Sequence, residues 1–357
     1  MKNSLKQANT QKTRHKNRNH VHIYFLQSLL FTCPSILLAG CNGFLPLQTA
    51  IDSPAVVGVD NLMPEAFQVI QQGLADPDPQ VRANAIEVVA ATKQITLMPK
   101  VQRLLTDEVV PVKFLAILAV GDLQYTLAKS EVQRLLKDEN ENVRIAAAYA
   151  MTKFGHPEYL TVFRNTIASE DQTVRANAAL LLGKSGHENA LGLLYWALQR
   201  KDSSDKVRFN AVEAIAVLGD ERILPKLWAI VYSGYADDRI MGIRAMGTLG
   251  TPQAKDVLIT KLDDDVLEVR LAAAEQLGKF GDPIAEPEVL EVFTKNLTAG
   301  LDNKDLERIK VLTALAIGQI RTDSLKKFLP QLLKDQSKFV RIAAAKAVFQ
   351  CAIHPSQ

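Results

Sequence analysis

The chain has 357 residues, 47% of them hydrophobic and 6% aromatic, with three cysteines. That length supports a sizeable buried core, and three cysteines exclude a disulfide framework. A balance of 42 Lys and Arg against 39 Asp and Glu, formally +3, excludes the strongly basic character of a nucleic-acid binder.

Residues 1–20 carry Lys2, Lys6, Lys12, Arg14, Lys16 and Arg18 and no acid, and an apolar stretch from Val21 to Gly40 follows. A basic start, an apolar core and small residues at its end are the marks of a secretory signal. The closing Leu38-Ala39-Gly40-Cys41 resembles a bacterial lipobox. The resemblance implies cleavage before Cys41, a diacylglycerol on its thiol and acylation of the new amine. Residues 1–40 are then a lipoprotein signal peptide, and two or more buried chains give a stable anchor. The competing reading is an uncleaved membrane helix, since about twenty residues can span a bilayer; His22, Gln27 and Pro34 weaken it. Loss of 1–40 removes six bases and no acid, which leaves 36 against 39 and a net charge of −3. No nucleic-acid partner is expected. Asn42 after the lipid cysteine favours the outer membrane, facing the periplasm, if the host sorts as enteric bacteria do.

Residues 41–61 combine turn formers with no helical period and read as a lipidated tether. As a flexible coil of about twenty residues it would span roughly 25 Å.

From residue 62 to 352 the chain repeats. A cation recurs as Arg82, Lys113, Arg144, Arg175, Arg208, Arg239, Arg270, Arg308 and Arg341, mostly 31 residues apart. A fixed period of this size marks stacked supersecondary units. In several repeats the unit opens on a capping residue four before the cation, at Asp78, Asn140, Asp171, Ser204 and Ser337. In five repeats it closes on a glycine eleven after the cation, at Gly155, Gly186, Gly219, Gly250 and Gly281. A second apolar-periodic run, such as Glu131 to Lys137, precedes the next cap. No alternating strand pattern appears, so the unit is a helical hairpin. Offsets −1, +3, +7 and +10 from the cation share one apolar face, and the cation lies on it. A guanidinium there needs a partner. Six residues before it stands Asp76, Asp107, Asp138, Asp202, Asp264, Asp302 or Asp335, with Ser169 and Ser233 as departures. An Asp–Arg ladder running from repeat to repeat is therefore expected.

The run Leu135-Leu136-Lys137-Asp138 to Val143-Arg144-Ile145-Ala146-Ala147-Ala148 resembles a HEAT repeat. The short period and the Gly-Asp or Gly-His junctions are most similar to the phycobilisome-lyase-like subclass. The resemblance implies an all-α fold, a right-handed α-solenoid (superhelix) of about nine helical hairpins, serving as a binding scaffold. At about 8–10 Å per helix layer an open stack would extend on the order of 80–90 Å. Its last helix would leave Ile342, Ala345 and Phe349 without a shielding neighbour. Residues 353–357 form a short tail.

Catalytic and metal-binding patterns are sparse. His156 and His187 follow helix-ending glycines, and Asp220 and Asp282 fill the same slot elsewhere, so they read as turn residues. HEAT-type deoxyhypusine hydroxylases need several His-Glu pairs, and only His187-Glu188 occurs. No metal, cofactor or catalysis is expected; the alternative is a lyase-like or chromophore- or cofactor-maturation enzyme. Offsets +2, +5 and +9 point away from the apolar face and carry Tyr149, Asn177, Asn210, Glu213, Arg244 and Glu275, with Lys153, Lys184 and Lys279. This set is the candidate face for a protein or peptide partner in the envelope. Three irregularities stand apart: the insertion between Arg270 and Arg308, the chain end, and the turn Tyr232-Ser233-Gly234-Tyr235, which lacks the ladder aspartate. Cys351 stands alone in the last helix and reads as a small apolar core residue.

Overall fold

The computed structural model describes residues 58–353, apart from residues 188 and 296. The signal segment, Cys41, the tether up to residue 57, Glu188 and the tail from His354 onward lie outside the described residues. Within them the chain is helices and turns without a strand, and no helix is long and apolar enough to cross a membrane.

Nine hairpins follow one another among the described residues. Their second helices are Pro79–Ala91, Val110–Asp122, Glu141–Lys153, Gln172–Ser185, Asp205–Val217, Ala236–Leu249, Leu267–Lys279, Asn303–Ile320 and Lys338–Ile353. We number them inner helices 1 to 9. Each packs on the next, and each is preceded by a shorter outer helix, such as Met63–Gly73 in the first repeat or Ala190–Gln199 in the fifth. The capping side chains act as expected. Asp78 accepts from the Gln80 N–H and Asn140 from the Asn142 N–H, while Asp171 accepts from two amides. Pro79 occupies the first turn, where its missing donor is harmless.

The position eleven after the cation is left-handed with or without glycine. It is Gly at 155, 186, 219, 250 and 281, but Lys93 at φ 54° and Gln124 at φ 48° in the first two repeats. The eighth repeat shows the same mark at Arg321, φ 62°, which corrects the register there. Counting back eleven residues gives Lys310, not Arg308, as the repeat's cation, and Lys310 to Arg341 is again 31 residues. Lys310 bonds Asp335 at 2.6 Å, whereas Arg308 turns to Asp237 at 2.9 Å, two repeats back. Inner helix 8 is extended at its start, and that extension displaced the sequence reading by two residues.

The ladder exists in a modified form. Where the rung is complete, the cation bonds a backbone carbonyl of its own turn and the carboxylate of the next repeat. Arg82 donates to the Asp76 carbonyl at 2.8 Å and bidentately to Asp107 at 2.9 and 3.0 Å. Lys113 reaches Asp138 at 3.2 Å, Arg175 reaches Asp202 at 3.2 Å, and Arg239 reaches Asp264 at 2.7 Å. The aspartate also accepts the amide two residues on, as Asp107 does from Val109. Ser169 and Ser233 accept the equivalent amides of Asp171 and Tyr235, so serine keeps the turn and loses only the rung. Arg144 and Arg208, which face those serines, bond carbonyls of their own turns. Arg270 takes Glu288 at 3.1 Å instead, because the ladder position of repeat 8 is Lys304.

A second small-residue register lies eight after the cation. A Cβ added at Gly183 would stand 2.6 Å from the Ala214 Cα, one at Gly121 2.9 Å from the Ala150 Cα, and one at Gly318 2.7 Å from the Ala347 Cα. These glycines let consecutive inner helices touch backbone to backbone.

The stack does not end in an open face. Inner helix 9 packs along Met63–Gly73 and against inner helix 1. Phe349 meets Phe67 with ring centroids 5.0 Å apart, and Ile342 lies against Gly73. Lys338 bonds Asp76 at 2.7 Å, supplying the ladder rung across the seam, and Lys346 reaches Glu87 at 3.5 Å. The solenoid is thus closed on itself. Ile342, Ala345 and Phe349 are buried, so the open end and the extended 80–90 Å span are both corrected: the first repeat covers the last. Cys351 is buried as well, and burial pushes its thiol up to about 11.

Candidate partner interface

Packing between consecutive inner helices occupies much of the inward face. Tyr149 and Asn177 are each 1% exposed and Glu275 is 7% exposed. Tyr149 donates its hydroxyl to Asp122 of the neighbouring inner helix, and burial together with that carboxylate raises its pKa. Asn177 donates to Asn142 at 2.9 Å, and Asn210 donates to the Ala176 carbonyl at 2.9 Å. Lys184 pairs with Asp122 at 3.0 Å. Tyr149, Asn177 and Asn210 therefore tie inner helices together. The structure places them where consecutive inner helices pack, as contacts between neighbouring repeats.

Offset +5 holds the remaining inward side chains. Around the ring it reads Glu87, Leu118, Tyr149, Leu180, Glu213, Arg244, Glu275, Leu315 and Lys346. Arg244 lies 3.9 Å from Glu275. Glu87, from the first repeat, feels Lys346, Arg244 and Glu275, so charges from repeats 1, 6, 7 and 9 share the interior. Burial raises the Glu87 pKa. Burial also pushes Glu275 up, but Lys279, Arg244 and Lys346 together hold it below its ordinary value. Burial depresses Lys279. Glu87 and Lys346 escaped the sequence reading. They occupy the same offset as Glu213, Arg244 and Glu275, and that recurrence was the signal. Acids and bases compensate one another here, which suits a structural charge network.

The outer layer differs. Around the fifth and sixth repeats Trp196 is 39% exposed, Trp228 51%, Tyr232 60% and Tyr235 57%. Trp196 lies on Ala190–Gln199 and Trp228 on the next outer helix, Leu224–Val231. Tyr232 follows Trp228 by four residues and so shares its face, and Tyr235 stands just before inner helix 6. The tyrosines belong to the irregular turn singled out by sequence; the tryptophans were not singled out. Their signal was the placement of large aromatics two and one residues after the core positions Leu194 and Leu227, where the helix face turns to solvent.

Two of these rings, Trp196 and Tyr232, and the neighbouring Tyr195 are braced by cations. Arg200 sits over Trp196 at 4.7 Å, Arg222 over Tyr195 at 5.3 Å and Lys261 over Tyr232 at 3.9 Å. Each cation is held by an aspartate. Arg200 donates to Asp202 at 2.6 Å, Arg222 to Asp220 at 2.8 Å, and Lys261 lies 3.8 Å from Asp264. The hydrogen bond from Arg200 holds the Asp202 carboxyl well below the usual carboxylate range, and Arg222 does the same for Asp220. Aspartate, cation and ring repeat three times, and each ring keeps one face against its cation. His156 bonds Glu158 at 3.1 Å as a turn residue. Among the described residues no three His, Cys, Asp or Glu side chains group as a metal site.

A family model described as HEAT repeats matches residues 99–171, 161–241 and 229–303, a continuous stretch of more than half the chain. The chain belongs to the HEAT-repeat family. Its HEAT solenoid is similar to several solved structures. The CpcE–CpcF complex of phycocyanin lyase from Nostoc sp. PCC7120 is 17% identical, covers 70% of this chain and 93% of that one, and has a TM-score of 0.40. Human deoxyhypusine hydroxylase in complex with glycerol is 16% identical over 74% of this chain and 99% of that one, TM-score 0.36. The karyopherin Kap121p bound to the SUMO protease Ulp1p is 15% identical over 83% of this chain and 37% of that one, TM-score 0.34. At such identities the likeness concerns the fold alone. No curated protein matches the chain.

Proposed function

We propose that this HEAT-repeat protein is a lipid-anchored scaffold of the bacterial envelope that binds a protein or peptide without catalysing a reaction. The observation that carries the binding half is the exposed aromatic row at Trp196, Trp228, Tyr232 and Tyr235, two of whose rings carry a cation on one face. Tryptophan, tyrosine and arginine are the residues that dominate protein interfaces, and rings already held by cations lose little further freedom on binding. The closed ring supports the same reading, since its inward polar groups are engaged with one another and its outer helices are left to meet a partner. The anchoring half rests on Leu38-Ala39-Gly40-Cys41 and the acylation that the lipobox resemblance implies, with attachment at Cys41 and sorting to the outer membrane.

Metabolic labelling with an alkyne fatty acid tests the anchor. Wild type takes up label and stays with membranes, and Cys41→Ser loses both. Label and membrane attachment that survive the substitution refute the lipoprotein. Affinity capture from solubilised envelopes with wild type and with Trp228→Ala/Tyr232→Ala tests the scaffold. A protein retained by the first bait and lost from the second supports it, and identical captures refute this surface.

A further inference from the structure

We propose that the ring lies on a lipid surface, seated on the rim formed by the C-terminal ends of its inner helices. The inference rests on the lipid anchor of the reading above and assigns the side of the ring that the bilayer meets.

The ladder defines two rims. Its rungs join the starts of neighbouring inner helices, from Arg82 and Asp107 round to Lys338 and Asp76 across the seam. The inner helices therefore run parallel, and their C-terminal ends share the opposite rim. Aliphatic surface collects there. Ile95, Leu127 and Ile284 stand in the short 3₁₀ turns after inner helices 1, 2 and 7, and Val217 and Ile353 are the last residues of inner helices 5 and 9. Leu127 is 75% exposed, and the other four lie between 46% and 52%. Single exposed apolar residues are ordinary; their distribution here is not. Among the described residues, every exposed large aliphatic side chain is on this rim, while the exposed aromatics belong to outer helices and to the turn before inner helix 6.

Three of the five flank the place where the chain enters the ring. Val59–Leu62 leads into the first outer helix, Met63–Gly73, and packs on inner helix 9. That outer helix runs toward the ladder residue Asp76, so residues 58–62 stand on the opposite rim, with Ile353, Ile95 and Leu127 of repeats 9, 1 and 2. Cys41 lies seventeen residues before Gly58, a reach of at most about 60 Å. A contact made on such a leash is intramolecular, with an effective concentration of roughly millimolar order. A few half-exposed aliphatic chains then suffice where they would not hold a free protein.

The side chains favour lipid over a protein partner. Isoleucine, leucine and valine gain from any apolar medium without a shaped counterpart, whereas protein interfaces are anchored by tryptophan, tyrosine and arginine. Charges of both signs share the rim, Lys93 and Lys129 with Asp60 and Asp122. The contact is therefore apolar and needs no anionic headgroup.

Full-length lipidated protein in phosphatidylcholine vesicles, with and without nitroxide-labelled acyl chains, tests this. An environment-sensitive fluorophore is attached through Leu127→Cys or through Glu108→Cys, at the two ends of inner helix 2; both positions are exposed, and Cys351 is buried. The expected result is a blue-shifted probe at position 127 that the nitroxide quenches, as for a group about 5–10 Å into the headgroup–acyl boundary. High salt leaves it unchanged, and the probe at position 108 stays in water. Ile95→Asp/Ile353→Asp, at exposed positions, abolishes the quenching and keeps the helical circular dichroism. Equal quenching at both positions, none at position 127, or quenching removed by salt would overturn the inference. So would shielding of position 127 that needs added envelope protein. Fatty-acid labelling of the same samples judges the anchor separately. Labelled protein whose 127 probe stays in water leaves the lipoprotein standing and refutes the seated rim. Quenching without label supports the rim contact and refutes the anchor at Cys41.

Discussion

The inner and outer helix layers are built from the same repeats and obey different rules. Inner helices run 13 to 18 residues, keep small residues at two registers and pair their charges around the ring. Outer helices are often a single turn or two, interrupted by short 3₁₀ segments, and carry the large exposed aromatics. The inner layer must close a circle, so each position is constrained by a neighbour on both sides, including across the seam. The outer layer packs on one side only and is free to carry recognition. In this closed ring much of the inward face is taken up by packing between repeats, and the periphery carries the large exposed aromatics.

The sharpest way to break that contrast is at the seam. Phe349 is fully buried between the last and first repeats, so Phe349→Ala should cost about 4 kcal/mol, within the usual range for a buried aromatic. Denaturant unfolding checks this. A loss below about 1 kcal/mol would mean that the ring stands open in solution. Next comes a matched pair of glycines. Gly183→Val would drive a side chain into the Ala214 backbone and should cost about 3 kcal/mol. On the outer fifth helix, a Cβ at Gly192 meets nothing within 4 Å. There Gly192→Ala should be neutral or stabilising by up to about 1 kcal/mol through helix propensity. Comparable losses at both glycines would erase the distinction between layers.

The repeat, its caps and its left-handed closures were legible because they are local. Asp78 caps an amide two residues away, and a single sequence contains both partners. The ladder was half legible, since Asp and Arg of one turn are visible together, but the carboxylate that each arginine takes belongs to the following repeat. Ring closure was not legible. Phe67 and Phe349, or Asp76 and Lys338, are joined by the summed small rotations of nine hairpins, which no local pattern records. On the inward face, the shared offsets were legible, while the contacts between consecutive inner helices that bury Tyr149 and Asn177 were not, because each partner lies in the neighbouring repeat. The register slip at Arg308 came from reading the cation alone; the left-handed Arg321 marks the true frame.

Two smaller effects refine the seam. Glu87 lies beside it, and burial raises its folded-state pKa. A raised carboxyl favours the folded state fully below its unfolded pKa, near 4.3, and that contribution fades as pH rises through the folded value. Glu87→Gln removes the titration, so at neutral pH it should raise stability by up to about 1 kcal/mol and flatten the stability profile above about pH 4. Unfolding free energies between about pH 4 and pH 8 test it, and a loss at neutral pH would show that the pairing with Lys346 outweighs desolvation.

The smallest effect concerns the rung across the seam. Lys338 is nearly half exposed while Asp76 is largely covered, and exposed pairs of this kind contribute about 0.2–1 kcal/mol. Lys338→Ala should therefore cost about 0.5 kcal/mol at neutral pH, far less than Phe349→Ala beside it. Some burial opposes it, but the bonds from Lys338 and the Asp78 amide hold the Asp76 carboxyl below its usual value. A depressed carboxyl stabilises the fold above its unfolded pKa, near 3.9, and that stabilisation is lost as pH falls through the folded value. The Lys338→Ala deficit should accordingly shrink below about pH 4 and be abolished by high salt, which screens an exposed pair. A deficit that persists in acid and in salt would locate the contribution of Lys338 in the packing of its aliphatic stem against the seam. The rung would then close the ring by contact and not by charge.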